Sequence, residues 1–526
     1  MLNQLNVNKP LIILFLSLIV VSCKKDPKVS QTTPPVTTAP PTTTASRAEL
    51  TKDSIYLYAK ETYYWNDQMP TYENFKPRTY ASNSAVLDAI RALPGTGKPF
   101  WTTANDPVPR EKYSFLDDGS LATELGGVSG DFGFSVFYNI GFPDDLRIKY
   151  VAPGSPAAAA GLKRGYRITK LNNRTDLNSS VDANLTFVSN AIFGNSNSVS
   201  MTVLKPDGSE QSLSVARGTY ANNPIFLSKV IDNGGKKVGY LVYNSFTTNS
   251  RETLATAIED LHKKGATELV VDLRYNGGGS VATADVLTNL LSPIGIPSKQ
   301  QIMYTTYWTK TMQEGKATIL ANQFLLDANG KLQPFTQGVH GQYATYADID
   351  YRPTANAGNV ELFEKKGSAD FKKIYFLVLR NTASASELVI NSLKGVMASS
   401  DIKVIGQKTY GKPVGFFGIK IDKLELYVPQ FETKNQKNEG GYYDGMSVDF
   451  SVTDDVTKDF GDPTERLLAA ALNYSQKGTF AVTNVPNTIS SVRSMPVEDI
   501  DRINQKLEGY HFNSMILDKP LKLKAK

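Results

Sequence analysis

The chain of 526 residues has one cysteine, Cys23, and three histidines, His262, His340 and His511. A single cysteine rules out a disulfide within the chain, so export of this protein would proceed without internal staples. No histidine stands in a recognisable motif and no Gly-x-Ser-x-Gly elbow occurs, which disfavours a Ser-His-Asp triad. Gly-x-Gly-x-x-Gly and a Gly-Lys-Ser/Thr ending are both missing. Gly95-Thr96-Gly97-Lys98 is half a phosphate loop at most, because Pro99 holds the Ser/Thr position and no strand precedes it. The net charge of +6 is spread along the chain, with no basic stripe and no aromatic RNA-binding motif, so nucleic acid is not an expected partner. Neither a metal nor a cofactor is expected.

At the N-terminus, residues 11–21 are apolar, follow Lys9 and lead into Ser22-Cys23-Lys24-Lys25. This run is too short for a bilayer span of about 20 residues but suits a signal peptide. With a small residue before the cysteine, the segment resembles a bacterial lipoprotein signal. That resemblance implies cleavage of residues 1–22, lipidation of Cys23 and a membrane-anchored protein of the bacterial cell envelope. Residues 23–46, rich in threonine and proline, read as an extended tether.

The chemistry concentrates further on. Residues 375–379, Tyr-Phe-Leu-Val-Leu, read as a buried strand, followed by Thr382-Ala383-Ser384-Ala385-Ser386-Glu387 and a helical run. A strand that breaks into small residues and restarts as a helix lifts one side chain out of a sheet, and Ser384 is the candidate. The alternative is plain helix capping, with Glu387 completing the box. A nucleophilic serine needs a base. Lys412 follows the helix and a second apolar strand, 402–405, that returns the chain beside the first. A Ser/Lys dyad is chemically sufficient if the amine is neutral, which requires burial, because lysine ordinarily titrates near about 10.4. An ordinary solvated lysine is the other reading. Strand 269–273 runs into Asn276-Gly277-Gly278-Gly279-Ser280, a turn whose N–H groups suit an oxyanion hole or, equally, a phosphate.

Asp272-Leu273-Arg274-Tyr275-Asn276-Gly277-Gly278-Gly279, then Thr382 to Glu387, then Tyr410-Gly411-Lys412, together resemble the C-terminal processing peptidases, serine proteases that include the tail-specific proteases. The resemblance implies that Ser384 is the nucleophile, Lys412 the general base, and the N–H groups of Gly278 and Ala385 the oxyanion hole. It departs at Pro413 and Phe416, where the family often has glycine and glutamine, leaving open which residue orients the lysine. Residues 130–168, including Gly130-Asp131-Phe132-Gly133-Phe134 and Ala160-Gly161-Leu162-Lys163-Arg164-Gly165, resemble a PDZ domain of the protease-associated type. Such a domain would take a peptide on an open strand edge, with the N–H groups of Phe132, Gly133 and Phe134 at its terminal carboxylate. An inert β-sandwich is the bland alternative.

The expected architecture is α/β: a ClpP/crotonase-like core at 219–475, preceded in series by a helical domain at 47–115 and the PDZ β-domain at 116–218. A C-terminal extension, 476–526, reads as a subdomain or a docked tail, and 300–370 as a loop-rich insertion. The expected activity is that of a serine endopeptidase acting on proteins or peptides with a free C-terminus. A catalytically inactive peptide-binding scaffold of the same fold is the alternative.

Overall fold

A capping box opens the first helix, α1, Arg47–Thr62: the Ser46 N–H donates to the Glu49 carboxylate at 2.8 Å and Ser46 Oγ accepts from Glu49 N at 3.3 Å. The computed structural model describes residues 45–103, 106–327, 329–480, 503–504, 507 and 514–524; Cys23, the expected signal and the tether up to residue 44 lie outside the described residues. Helix α2, Asn83–Ala92, presents Val86, Leu87 and Ile90 to the interior. The helical pattern ends there rather than running on to residue 112. Pro94, Pro99, Pro107 and Pro109 cannot continue a helix, and Trp101–Thr103 instead pairs antiparallel with Asp106–Arg110. Ile55, Tyr58, Ala59, Val86 and Ile90 join the same apolar cluster as the large central sheet.

A five-stranded antiparallel sheet follows: β1, Phe134–Tyr138; β2, Leu146–Val151; β3, Arg167–Leu171; β4, Ser198–Leu204; and β5, Glu210–Ala216. Helix α3, Asp182–Phe193, joins β3 to β4. Phe134, Val136, Ile148, Val188, Ile192 and Val203 build a core separate from that of the central sheet, joined by Ile503 and Leu507. Strand β1 is an edge of its sheet.

The remainder alternates. In chain order come β6, Ile225–Asn233; β7, Lys236–Tyr243; α4, Arg251–Lys263; β8, Glu268–Asp272; β9, Gly278–Ser280; and α5, Val281–Leu291. There follow β10, Ile302–Trp308; β11, Val360–Leu362; β12, Lys373–Val378; α6, Ala385–Val396; β13, Ile402–Gly406; and β14, Val414–Gly415. The series closes with β15, Phe431–Asn435; β16, Phe450–Ser451; α7, Arg466–Lys477; and β17, Ser514–Ile516. Six strands form one sheet in the order β6-β7-β8-β12-β13-β16, parallel except for the β6–β7 hairpin. Its strands alternate between two cores. Leu269, Val271, Ile374 and Phe376 face the cluster built with α4, α5 and α6, while Val270, Tyr375 and Leu377 face Leu467, Leu468 and Ala471 of α7. Covering both faces of a parallel sheet with helices is what makes these strands read as continuous apolar runs.

Helix α7 begins at Arg466, because the Glu465 carboxylate caps it, accepting from Leu468 N at 3.1 Å. One expectation is corrected. The span 300–370 is more than a loop-rich insertion: β10 pairs with both β11 and β15, and Met303, Trp308 and Phe363 are buried in the main core.

Candidate active site

Strand β12 ends beside β8, and the chain then turns sharply. Thr382 Oγ1 donates to Leu273 O at 2.7 Å and Ala383 N donates to Asn276 O at 3.1 Å, pinning the turn to the loop that follows β8. Ser384 is held at φ 63°, ψ −113°, a backbone conformation that a non-glycine residue keeps only when its surroundings impose it. Helix α6 begins at the next residue, so Ala385 contributes an N–H with no partner inside the helix. Ser384 is fully buried, and its Oγ makes no hydrogen bond among the described residues. Ser384 and Glu387 also sit as a capping box at the start of α6, so helix capping and an unengaged hydroxyl are both features of this residue. Ser386 Oγ, by contrast, is engaged on Asn276 O at 3.1 Å.

Glu387 joins the serine to the lysine. One of its carboxylate oxygens accepts from both Ser384 N and Lys412 N, each at 2.8 Å. The other accepts from Gly411 N at 2.8 Å and Thr409 Oγ1 at 2.5 Å. Burial raises the Glu387 pKa above the usual carboxylate range, and these four donors oppose that rise.

Lys412 is buried, and desolvation pulls its amine down to about 7, against the pull of Glu111 and Glu387 in the other direction and with help from Lys112. Its Nζ lies 4.3 Å from the centroid of the Phe416 ring and 5.9 Å from that of Tyr113. Tyr113 is fixed in turn by donating its hydroxyl proton to Gly411 O at 2.7 Å. The sequence-predicted pair thus shares one carboxylate through its backbone amides, and the lysine sits in an aromatic box.

Gly278 is placed differently from expectation. It lies in β9 with φ 109°, but its N–H donates to the side-chain oxygen of Asn276 at 2.9 Å, so this donor is already engaged. Asn276 Nδ2 donates to Tyr243 O at 2.9 Å, which locks the amide in that orientation. Phe132, Gly133 and Phe134 lie in the five-stranded module. There the Gly133 N–H donates to Asp131 Oδ1 at 2.8 Å, so a carboxylate of the chain itself already takes the central donor of the expected peptide-binding loop.

The C-terminal strand borders the site. β17 pairs in parallel with β9, Gly278 opposite Ser514 and Ser280 opposite Ile516. On its other side Phe416 N donates to Met515 O at 3.0 Å and Leu517 N to Phe416 O at 2.8 Å. Asp518 fastens the strand, accepting from Ser280 Oγ at 2.6 Å, Arg251 Nη2 at 2.7 Å and Ala282 N at 3.0 Å. One short strand therefore bridges the glycine turn and the segment after the lysine.

Below the sheet, Arg274 is buried and forms ion pairs with Asp272, Asp454 and Glu465, while Arg164 of the module reaches the same Asp454 at 2.8 Å. The two guanidinium groups hold the Asp454 carboxyl well below the usual range, against the effect of its burial. This network ties the module to the carboxyl ends of the core strands.

Comparison with known proteins agrees with these motifs. Residues 237–439 match the profile of peptidase family S41. Over that span the chain is similar to peptidase family S41. It is similar to the carboxyl-terminal-processing protease of a Picosynechococcus species, 32% identical over 33% of this chain and 41% of that one. It is also similar to the chloroplastic C-terminal processing peptidase of Tetradesmus obliquus, 24% identical over 62% of this chain and 59% of that one. These matches thus span less than two thirds of either relative. A crystal structure of a Bacteroides fragilis protein assigned to the S41 proteases shares the fold, with a TM-score of 0.51 and 21% identity, covering 84% of this chain and all of that one.

Several residues of the candidate site carry little or no signal in the sequence. Glu387 carried a signal, being readable as the third residue of a capping box, but its reach to Gly411 and Lys412 is tertiary. Tyr113, Met515 and Asp518 are distant in sequence and carried none. Phe416, noted only as a departure from the family pattern, supplies an apolar face to the lysine.

Proposed function

We propose that this protein is a serine endopeptidase that uses a Ser384/Lys412 dyad on protein or peptide substrates. The observation that carries the reading is the shared Glu387 carboxylate. It holds a serine with an unengaged, buried hydroxyl next to a lysine whose amine titrates near 7. Neutral Lys412 takes the Ser384 proton as Oγ attacks the scissile carbonyl, then returns it to the leaving amine; water repeats the cycle on the acyl-enzyme. The Ala385 N–H faces the developing oxyanion, joined by the Gly278 N–H once substrate draws it from Asn276 Oδ1. Such donors are worth about 3 kcal/mol each.

The five-stranded module is read as a PDZ-type domain whose edge strand β1 recruits the substrate's C-terminal segment, with Phe132, Gly133 and Phe134 at the peptide-binding loop. The helical residues 47–115 are read as an N-terminal element of the protease, and residues 1–46 as a lipoprotein signal and tether that anchor it through Cys23 to the cell envelope membrane. The test is cleavage of an unstructured, apolar-tailed protein, together with labelling by a serine-directed fluorophosphonate. Both are expected in the wild type and absent in Ser384→Ala. Labelling that survives Ser384→Ala contradicts the assignment of the nucleophile.

A further inference from the structure

Strand β1 is the free edge of its sheet, yet Tyr138 on that edge has both outward backbone groups satisfied. The Tyr138 N–H donates to Asn504 Oδ1 at 2.8 Å, and Asn504 Nδ2 donates to Tyr138 O at 3.0 Å. A primary amide presents one acceptor and one donor side by side, as the backbone of an added strand does, so Asn504 occupies the pairing position of a docked peptide. Its neighbours fill the apolar side. Ile503 and Leu507 are 7% and 1% exposed, in the cluster that β1 and α3 build from Val136, Leu185 and Val188. Asn504 is itself 4% exposed. It also lines a cleft with Phe137, Ile140, Leu379, Arg380 and Asn381, the last three leading directly to the Ser384 turn.

We propose that the β1/α3 groove is a binding site for an internal apolar-Asn-x-x-apolar segment, and that Ile503, Asn504 and Leu507 of this chain are its resident ligand. The proposal rests on reading the module as a peptide-binding domain and adds what fills it. An internal ligand brings no carboxylate, which agrees with the loop before β1: Asp131 already takes the Gly133 N–H and accepts from Tyr220 OH at 2.8 Å. A substrate must displace the resident segment to dock. A few residues on, the chain becomes β17 beside the glycine turn, so the same tail touches both the groove and the active site.

The test uses the full chain carrying Ser384→Ala, so that cleavage does not interfere, and a fluorescent synthetic peptide with the sequence of residues 499–511. With the groove occupied, the peptide binds weakly. Adding Ile503→Asp and Leu507→Asp is expected to tighten its Kd at least tenfold. Asn504→Ala, a milder change that keeps the apolar anchors, is expected to tighten it several-fold and to speed hydrogen exchange at the Tyr138 amide at least tenfold. Equal affinity in all chains with unchanged exchange at Tyr138 overturns self-occupancy while leaving the groove a peptide site. Faster exchange with no binding in any chain overturns the peptide-site reading itself. Cleavage by the wild type, measured separately, is independent of both results.

Discussion

Lys412 has an ordinary pKa of 10.5, and burial pulls it to about 7. In the proposed mechanism the deprotonated amine is the active form, so kcat/KM should rise with pH through a midpoint near 7. In stability the sign follows from proton counting. Between about 7 and 10.5 the unfolded chain binds the proton that the folded chain has released, so this group's contribution to stability increases with pH across that window. Lys412→Met should remove that increase, read as the pH dependence of the urea midpoint against wild type. The Phe416 ring lies 4.3 Å from Nζ and helps to bury it, so Phe416→Gln, which brings a polar acceptor there, should stabilise the ammonium form and move the kcat/KM midpoint upward; an unmoved midpoint would deny the ring this role. Glu387→Gln keeps the shape but replaces one acceptor oxygen with an NH2 group facing backbone donors. A loss of about 1–3 kcal/mol in denaturant unfolding is expected. At this scale the sequence was informative about identity and silent about partners. Ser384 stands out because a strand breaks into alanines there, and Lys412 because a strand returns it. The carboxylate joining them is visible only once Gly411 and Lys412 fold back onto α6.

The elements around the site differ in how openly the sequence declares them. β8, β12 and β13 are apolar runs of strand length, and α5, Val281–Leu291, follows the glycine turn directly. β17 is three residues long, too short for any period, and its strand partner β9 lies more than two hundred residues upstream. It nonetheless holds β9 in place. Asp518→Asn weakens the charge-assisted bonds to Ser280 and Arg251 and should loosen the turn that carries Gly278. A fall in kcat of about tenfold with KM little changed is expected, corresponding to about 1.4 kcal/mol. A change confined to KM would place β17 in substrate binding instead.

Across the whole molecule, the helical N-terminal residues share a core with the central sheet, whereas the five-stranded module has its own and is fastened through Arg164. Arg164→Met breaks a buried pair and should cost about 3–5 kcal/mol, read as a lower thermal midpoint. The sequence marked the module by its resemblance to a PDZ domain and the core by its apolar strand runs. It did not reveal the fastening, because Arg164 meets Asp454 only in the assembled fold. In the proposed mechanism a neutral buried lysine activates Ser384. This is tested by the cleavage rate of an unstructured apolar-tailed protein between pH 6 and 10 for wild type, Lys412→Ala and Lys412→Arg. A wild-type rate rising through about pH 7 and no turnover by either variant are expected, since a guanidinium does not deprotonate in this range. Substantial turnover by Lys412→Ala, or a wild type that cleaves at no pH, would contradict this mechanism.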